Sequence, residues 1–183
     1  MISFSIQNFG CRVNQAEAFE WAAELEARGL ARRAEGRGSV VVVNTCTLTS
    51  RADRDVKKFI RRVARANPEA KVVVTGCLAE RDPGSLRALP GVWKVLANAE
   101  KDGLPAAVLA AGNTGTHHLS VLKSGQISDV SPYLPFRARG LVKVQDGCDM
   151  ACRFCIIPLV RGRSRSLAPD VVLERIRRIV ERG

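Results

Sequence analysis

Long apolar runs are missing from this 183-residue sequence. The unbroken ones are short, such as Val40 to Val43 and Val72 to Val74, whereas a membrane-spanning helix takes about 20 residues. The opening Met1-Ile2-Ser3-Phe4-Ser5-Ile6 alternates like a strand and lacks the basic start and cleavage site of a secretory signal. A cytoplasmic location with no membrane partner is therefore expected. The composition also lacks the bias of disordered, collagenous or coiled-coil chains, and no internal repeat stands out. With 46% hydrophobic residues the chain has enough apolar material for an ordinary core, so metal is not required to rescue a tiny fold.

Six cysteines and a strong positive charge are present. In a reducing compartment thiols stay reduced, so metal binding or chemistry is a better expectation for them than disulfides. The formal net charge is +11. Residues 137–183 carry 11 basic and 5 acidic groups, a higher density than the 18 and 13 of residues 1–136. A polyanion such as nucleic acid is the natural partner, because phosphate neutralisation by Lys and Arg drives such binding. A solubility surface is the blander alternative.

Residues 1–122 read as alternating strands and helices. Strands are expected at Ile2 to Gln7, Val40 to Val43, Lys71 to Thr75, Val92 to Leu96 and Leu119 to Leu122. Helices are expected at Gln15 to Arg28 (Ala18, Trp21, Ala22 and Leu25 on one face, Gly29 as stop), Arg51 to Ala66, Leu86 to Leu89 and Leu104 to Ala111. Such repeats imply a flavodoxin-like, doubly wound parallel sheet, an α/β fold whose strands all end at one edge. Residues 123–136, with Gly125, Pro132 and Pro135, read as a linker. Residues 137–183 then start a second domain, with a strand at Leu141 to Gln145 and an amphipathic helix at Pro169 to Arg182. One such unit cannot bury its own apolar face, so this segment is expected to be a truncated piece or to pair with something else.

The sharpest chemical signal is Cys148-Asp149-Met150-Ala151-Cys152-Arg153-Phe154-Cys155. Three thiolates in one short loop are iron–sulfur ligands, and on a [4Fe-4S] cube they leave one iron open for a small molecule. Gly147 permits a tight turn and frees backbone amides for cluster sulfurs. Zinc would need a fourth ligand, from His117, His118 or another cysteine; the two histidines are otherwise ordinary loop residues. Cys11, Cys46 and Cys77 each follow the end of an expected strand, so in a parallel sheet they share its C-terminal edge, where open α/β folds bind ligands. They form a second candidate cluster site; three buried structural cysteines are the alternative.

Cys-x3-Cys-x2-Cys after a strand resembles the radical SAM superfamily, and Phe154 matches the aromatic position that lies by the adenine of S-adenosylmethionine in that family. Gly10-Cys11-x-x-Asn14, Asn44-Thr45-Cys46 and Gly76-Cys77 ahead of the triplet resemble the methylthiotransferase family. Ile157-Pro158, Arg161-Gly162 and Arg165-Ser166 resemble the segment that follows the triplet there. The likeness covers essentially the whole chain. Phe9 to Gln15 is most similar to the branch that modifies threonylcarbamoyladenosine beside the tRNA anticodon. Branches acting on isopentenyladenosine or on a ribosomal-protein aspartate usually differ there.

The resemblance implies a partial TIM barrel begun by residues 137–183. It also implies two [4Fe-4S] clusters, on Cys148, Cys152 and Cys155 and on Cys11, Cys46 and Cys77. The first would cleave S-adenosylmethionine with an electron from an unidentified donor, and the second would deliver sulfur to an adenine carbon, giving a methylthio group. Turnover by these 183 residues alone is not expected. Candidate tRNA contacts are Arg54, Lys58, Arg61 and Arg65, which share a helical face, and Arg161, Arg163 and Arg165, which would either meet substrate phosphate or orient the loop. The basic helix could equally be a solvated face. A non-catalytic iron–sulfur carrier and a zinc-stabilised nucleic-acid module are the rival classes.

Overall fold

The computed structural model describes residues 2–47, 49–113, 140–150 and 152–181. Its centre is a five-stranded parallel sheet ordered β2-β1-β3-β4-β5. The strands are β1 (Ser3–Asn8), β2 (Ala31–Arg32), β3 (Val40–Thr45), β4 (Lys71–Gly76) and β5 (Val92–Val95). Helix α1 (Arg12–Ala27) follows β1, and α2 (Ser50–Ala66) follows β3. Two short helices, α3 (Cys77–Arg81) and α4 (Pro83–Arg87), precede β5; a 3-10 turn at Asn98–Gly103 leads into α5 (Leu104–Gly112).

The unbroken valine runs explain the middle of the sheet. All six residues of β3 are buried, as expected for a strand covered on both faces. Alternation then divides the core. Val41, Val43, Val72 and Val74 pack on Val56, Phe59, Ile60 and Val63 of α2 and on Leu78 and Leu86. Val40, Val42 and Val73 face the other way, onto Trp21 and Leu25 of α1 and Leu104 and Val108 of α5. Thr49 caps α2 by accepting from the Ala52 amide at 3.2 Å. The chain winds to one side of β1 to form β2 and to the other to form β3, so β1 and β3 flank the switch point, where ligands of this strand order bind.

The flavodoxin-like reading matches this order. The expected strand at Leu119 to Leu122, the linker and both histidines lie outside the described residues. The fifth strand of the described sheet is instead β2, a two-residue edge too short to leave a periodic signal. On α1 the buried residues are Asn14, Ala16, Glu17, Trp21, Ala22 and Leu25, while Ala18 is only half-buried.

The later segment departs further from expectation. In place of a strand at Leu141 to Gln145 there is only β6 (Gln145–Asp146), which pairs antiparallel with β7 (Arg165–Ser166). The returning chain extends this pairing, the Leu167 amide donating to the Val144 carbonyl at 2.9 Å. Between them lies α6 (Ile157–Arg161), and α7 (Pro169–Glu181) follows. None of the residues of α7 is fully buried. Among the described residues no helix is long and apolar enough to cross a membrane.

Candidate active site at the carboxyl edge of the sheet

Strand register brings the first three cysteines to neighbouring strand ends. Asn8 pairs with Asn44, Asn44 with Thr75 and Thr45 with Gly76. Cys46 and Cys77 are the residues that follow the Thr45–Gly76 pair, and Cys11 precedes α1 just beyond β1. Cys46 and Cys77 are buried, whereas Cys11 is exposed.

The residues around each cysteine have identifiable work. Asn14 is fully buried and donates to Asn44 Oδ1 at 2.8 Å and to the Thr45 carbonyl at 3.1 Å. Its own Oδ1 accepts from the Cys11 thiol at 3.1 Å. Asn44 returns a bond to the Asn14 carbonyl at 3.0 Å, tying α1 to β3. Thr45 Oγ1 donates to the Thr75 carbonyl at 2.7 Å and accepts from the Leu78 and Ala79 amides at 3.1 and 3.3 Å. Those amides belong to the first turn of α3 and lack intrahelical partners. Gly76 has φ of +100°. A Cβ there would lie 2.3 Å from the Thr45 carbonyl oxygen, so only glycine fits where β4 passes into α3 beside β3.

Beneath these residues lies a buried ionic network that sequence reading missed. Glu17, 2% exposed, meets Lys101 Nζ at 2.9 Å, Lys143 Nζ at 3.1 Å and Arg161 Nη1 at 3.4 Å. Arg161 also donates to Asp146 Oδ1 at 2.7 Å and, through Nη2, to Asn14 Oδ1 at 2.7 Å. Burial works to raise the Glu17 carboxyl, but Lys101, Lys143 and Arg161 outweigh it and hold it below the ordinary range. Burial opposes the Arg161 charge as well, yet Glu17 and Asp146 keep it charged. Two carboxylates thus face three cations. The surplus positive charge sits near Cys77: burial pushes that thiol up, while the charges of Arg161 and then Lys101 pull against the push.

The second trio occupies a loop folded onto the chain after α6. The Cys148 amide donates to the Gly162 carbonyl at 3.1 Å, and Asp149 Oδ1 accepts from the Ser164 amide at 3.1 Å. Gly147 has φ of +74°, and a Cβ on it would lie 2.0 Å from the Arg163 carbonyl oxygen. The Cys155 amide closes a turn onto the Cys152 carbonyl at 3.1 Å. Cys152 is exposed, and Cys148 and Cys155 are half-buried. Among the described residues no three His, Cys, Asp or Glu side chains are gathered tightly enough to grip a metal ion.

The remaining expected site residues fall into separate groups. Phe154 is 95% exposed. Arg54, Lys58, Arg61 and Arg65 are exposed on α2, away from its core face. Arg163 and Arg165 are exposed and line an open cleft of about 300 Å³ with Glu80 and Asn98. Arg161 is a correction: at 5% exposed, with its guanidinium committed to Glu17, Asp146 and Asn14, it is not available to a phosphate at the surface. Of the two roles expected for it, orienting the loop is the one its surroundings permit. A signal for Glu17 did exist, since this charge stands four residues before Trp21 on the apolar stripe of α1.

Residues 3–97, just over half of the chain, match the family described as Uncharacterized protein family UPF0004. Over 189 aligned residues the chain is 32% identical to threonylcarbamoyladenosine tRNA methylthiotransferase MtaB of Bacillus subtilis, a match covering 100% of this chain and 42% of that protein. The protein of the same name from Thermotoga maritima is 32% identical over 186 residues, again 100% of this chain and 42% of the relative. The tRNA-2-methylthio-N(6)-dimethylallyladenosine synthase of Thermobifida fusca is 31% identical over 190 residues, 99% of this chain and 38% of the relative. The chain thus spans about two fifths of the length of these relatives. With that family match across half of it, the chain belongs to the UPF0004 family, and along its whole length it is similar to proteins named as tRNA methylthiotransferases.

Proposed function

We propose that this chain is part of a radical SAM tRNA methylthiotransferase, a transferase that adds a methylthio group to C2 of N6-threonylcarbamoyladenosine next to the anticodon. Cys148, Cys152 and Cys155 would hold one [4Fe-4S] cluster, and Cys11, Cys46 and Cys77 a second. The donor chemistry fits: each trio supplies three thiolates, and buried cations face the second trio at Cys77. Bound there, the clusters and S-adenosylmethionine would supply the electron, the radical chemistry and the sulfur that acid–base side chains cannot.

The protein's own residues would do the positioning. Asn14, Asn44 and Thr45 hold the three strand ends together. Gly147 lets the loop press on the chain at Arg163. The exposed cations Arg54, Lys58, Arg61, Arg65, Arg163 and Arg165 would serve the tRNA backbone. The reading is supported by the bond from Arg161, close to the second trio in the chain, to Asn14 beside Cys11, together with relatives named for methylthiotransfer on tRNA. The branch is carried by the run Phe9 to Gln15.

Two measurements test this. Mass spectrometry of tRNA nucleosides from cells lacking the parent gene should show threonylcarbamoyladenosine without its methylthio group. Loss of the methylthio group from isopentenyladenosine instead would assign the other branch. Anaerobic reconstitution of the chain should give about eight iron and eight sulfide, falling by about half in a C148A/C152A/C155A variant. Zinc without iron would reject the proposal.

A further inference from the structure

We infer that Arg161 is a positioning residue that sets the spacing of the two cysteine trios: one buried guanidinium holds Asn14, which accepts from the Cys11 thiol, and Asp146, two residues ahead of Cys148. The clamp is a property of the fold; only its service to two clusters rests on the proposed function. Arg161 closes α6, and the backbone turns at once through Gly162, whose φ is +73°. That turn aims the Gly162 carbonyl at the Cys148 amide, 3.1 Å away. Side chain and adjoining backbone thereby grip the two trios from one point of the chain. The Val160 carbonyl, one residue earlier, accepts from Asn98 Nδ2 and anchors α6 to the sheet domain.

Charge balance does not call for this arginine. Lys101 and Lys143 already supply two positive charges for the two carboxylates of Glu17 and Asp146. What the lysines lack is a planar fork able to satisfy acceptors lying in different directions. Arg161 uses Nη2 for Asn14 and Nη1 for Asp146, each at 2.7 Å. The Asn14 bond is buried and the Asp146 bond partly so, settings in which a charged donor with fixed geometry contributes strongly to orientation.

Backbone hydrogen exchange on the metal-free chain tests the clamp without any cluster. R161Q should exchange roughly tenfold faster at both Gly10 to Asn14 and Gly147 to Asp149. The β3 and β4 amides, from Val41 to Val43 and Val72 to Val74, should stay slow and so report an intact fold. R161K keeps the charge but not the fork. Its ammonium should stay with Asp146, so exchange should quicken at Gly10 to Asn14 alone. Wild-type exchange at both segments in R161K would overturn the inference, and so would a change confined to one segment in R161Q. If R161Q does not fold, R161K decides.

Electron paramagnetic resonance of the reconstituted, reduced chain adds a readout that a merely structural residue would not move. Wild type should show magnetic coupling between two clusters. R161Q should retain its iron and each cluster's own signal but lose the coupling, and unchanged coupling would overturn the inference. If wild type takes up no iron, the cluster reading fails while the exchange result still decides the clamp.

Discussion

The sheet domain and the segment after it are held by different forces. In the first, two apolar layers sandwich β3 and β4, and helices α1, α2 and α5 each bury a stripe. Among the described residues of 140–181 only Val160 and Arg161 are buried. Met150, Phe154, Leu159, Leu173, Ile176 and Val180 all stand open to solvent. This segment is attached through polar contacts: Asn98 to Val160, Arg161 to Asn14, Lys143 and Arg161 to Glu17, and Arg175 to Glu20. A core of valines holds the first region through buried apolar surface. A clamp of charges makes a docked segment whose position is specified more sharply than its stability.

The largest expected effect comes from attacking the clamp where it enters the domain. Glu17→Gln takes the shared carboxylate away from buried Lys101 and Arg161 and from half-buried Lys143. Stranding buried charge in this way costs about 3–5 kcal/mol, measurable by urea unfolding at neutral pH. The sign of the pH dependence follows from the direction of the shift. The folded carboxyl lies below its unfolded value of about 4.3. Its contribution is therefore complete above that value and is lost as pH falls through the lower, folded one. The gap between wild type and variant should shrink on acidification. A gap that widens toward acid would mean that the clamp is not ionic.

The next comparison tests the two regions directly. Ile60→Ala removes a fully buried side chain from the α2 layer and should cost about 2–4 kcal/mol. Leu173→Ala trims a side chain that is 53% exposed on α7 and should stay within about 0.5 kcal/mol of wild type. Equal losses in the two variants, read from the same urea titrations, would erase the distinction between the regions.

How much was legible in the sequence follows the same division. The valine runs, the helical spacing of Arg51 to Ala66 and the stop at Gly29 are local signals, and they mark β3, α1, α2 and β4 within a residue or three. The strand-end places of Cys11, Cys46 and Cys77 were equally readable, because each follows its strand closely. Edge strand β2 was not readable, since two residues carry no period. Neither was the ionic network. Glu17 meets Lys101, Lys143 and Arg161 across 84, 126 and 144 residues of sequence. No local pattern reports a contact of that range. Arg161 read as one of three basic residues in a row, when its burial separates it from Arg163 and Arg165.

The smallest effect sharpens the comparison at the far end of the segment. Arg175 of α7 pairs with Glu20 of α1, and both side chains remain about one-third exposed. An ion pair in that setting contributes less than about 1 kcal/mol. Arg175→Ala should therefore barely move the urea midpoint of the sheet domain. Burial raises the Glu20 carboxyl and Arg175 opposes the rise, so removing the arginine should carry the carboxyl higher still. A carbon-detected titration of Glu20 reads that change directly. Protease cleavage within α7 should quicken at the same time, because this pair is one of few ties on a helix with no fully buried residue. Cleavage at the wild-type rate, with the Glu20 titration unmoved, would show that α7 is held by its apolar residues after all.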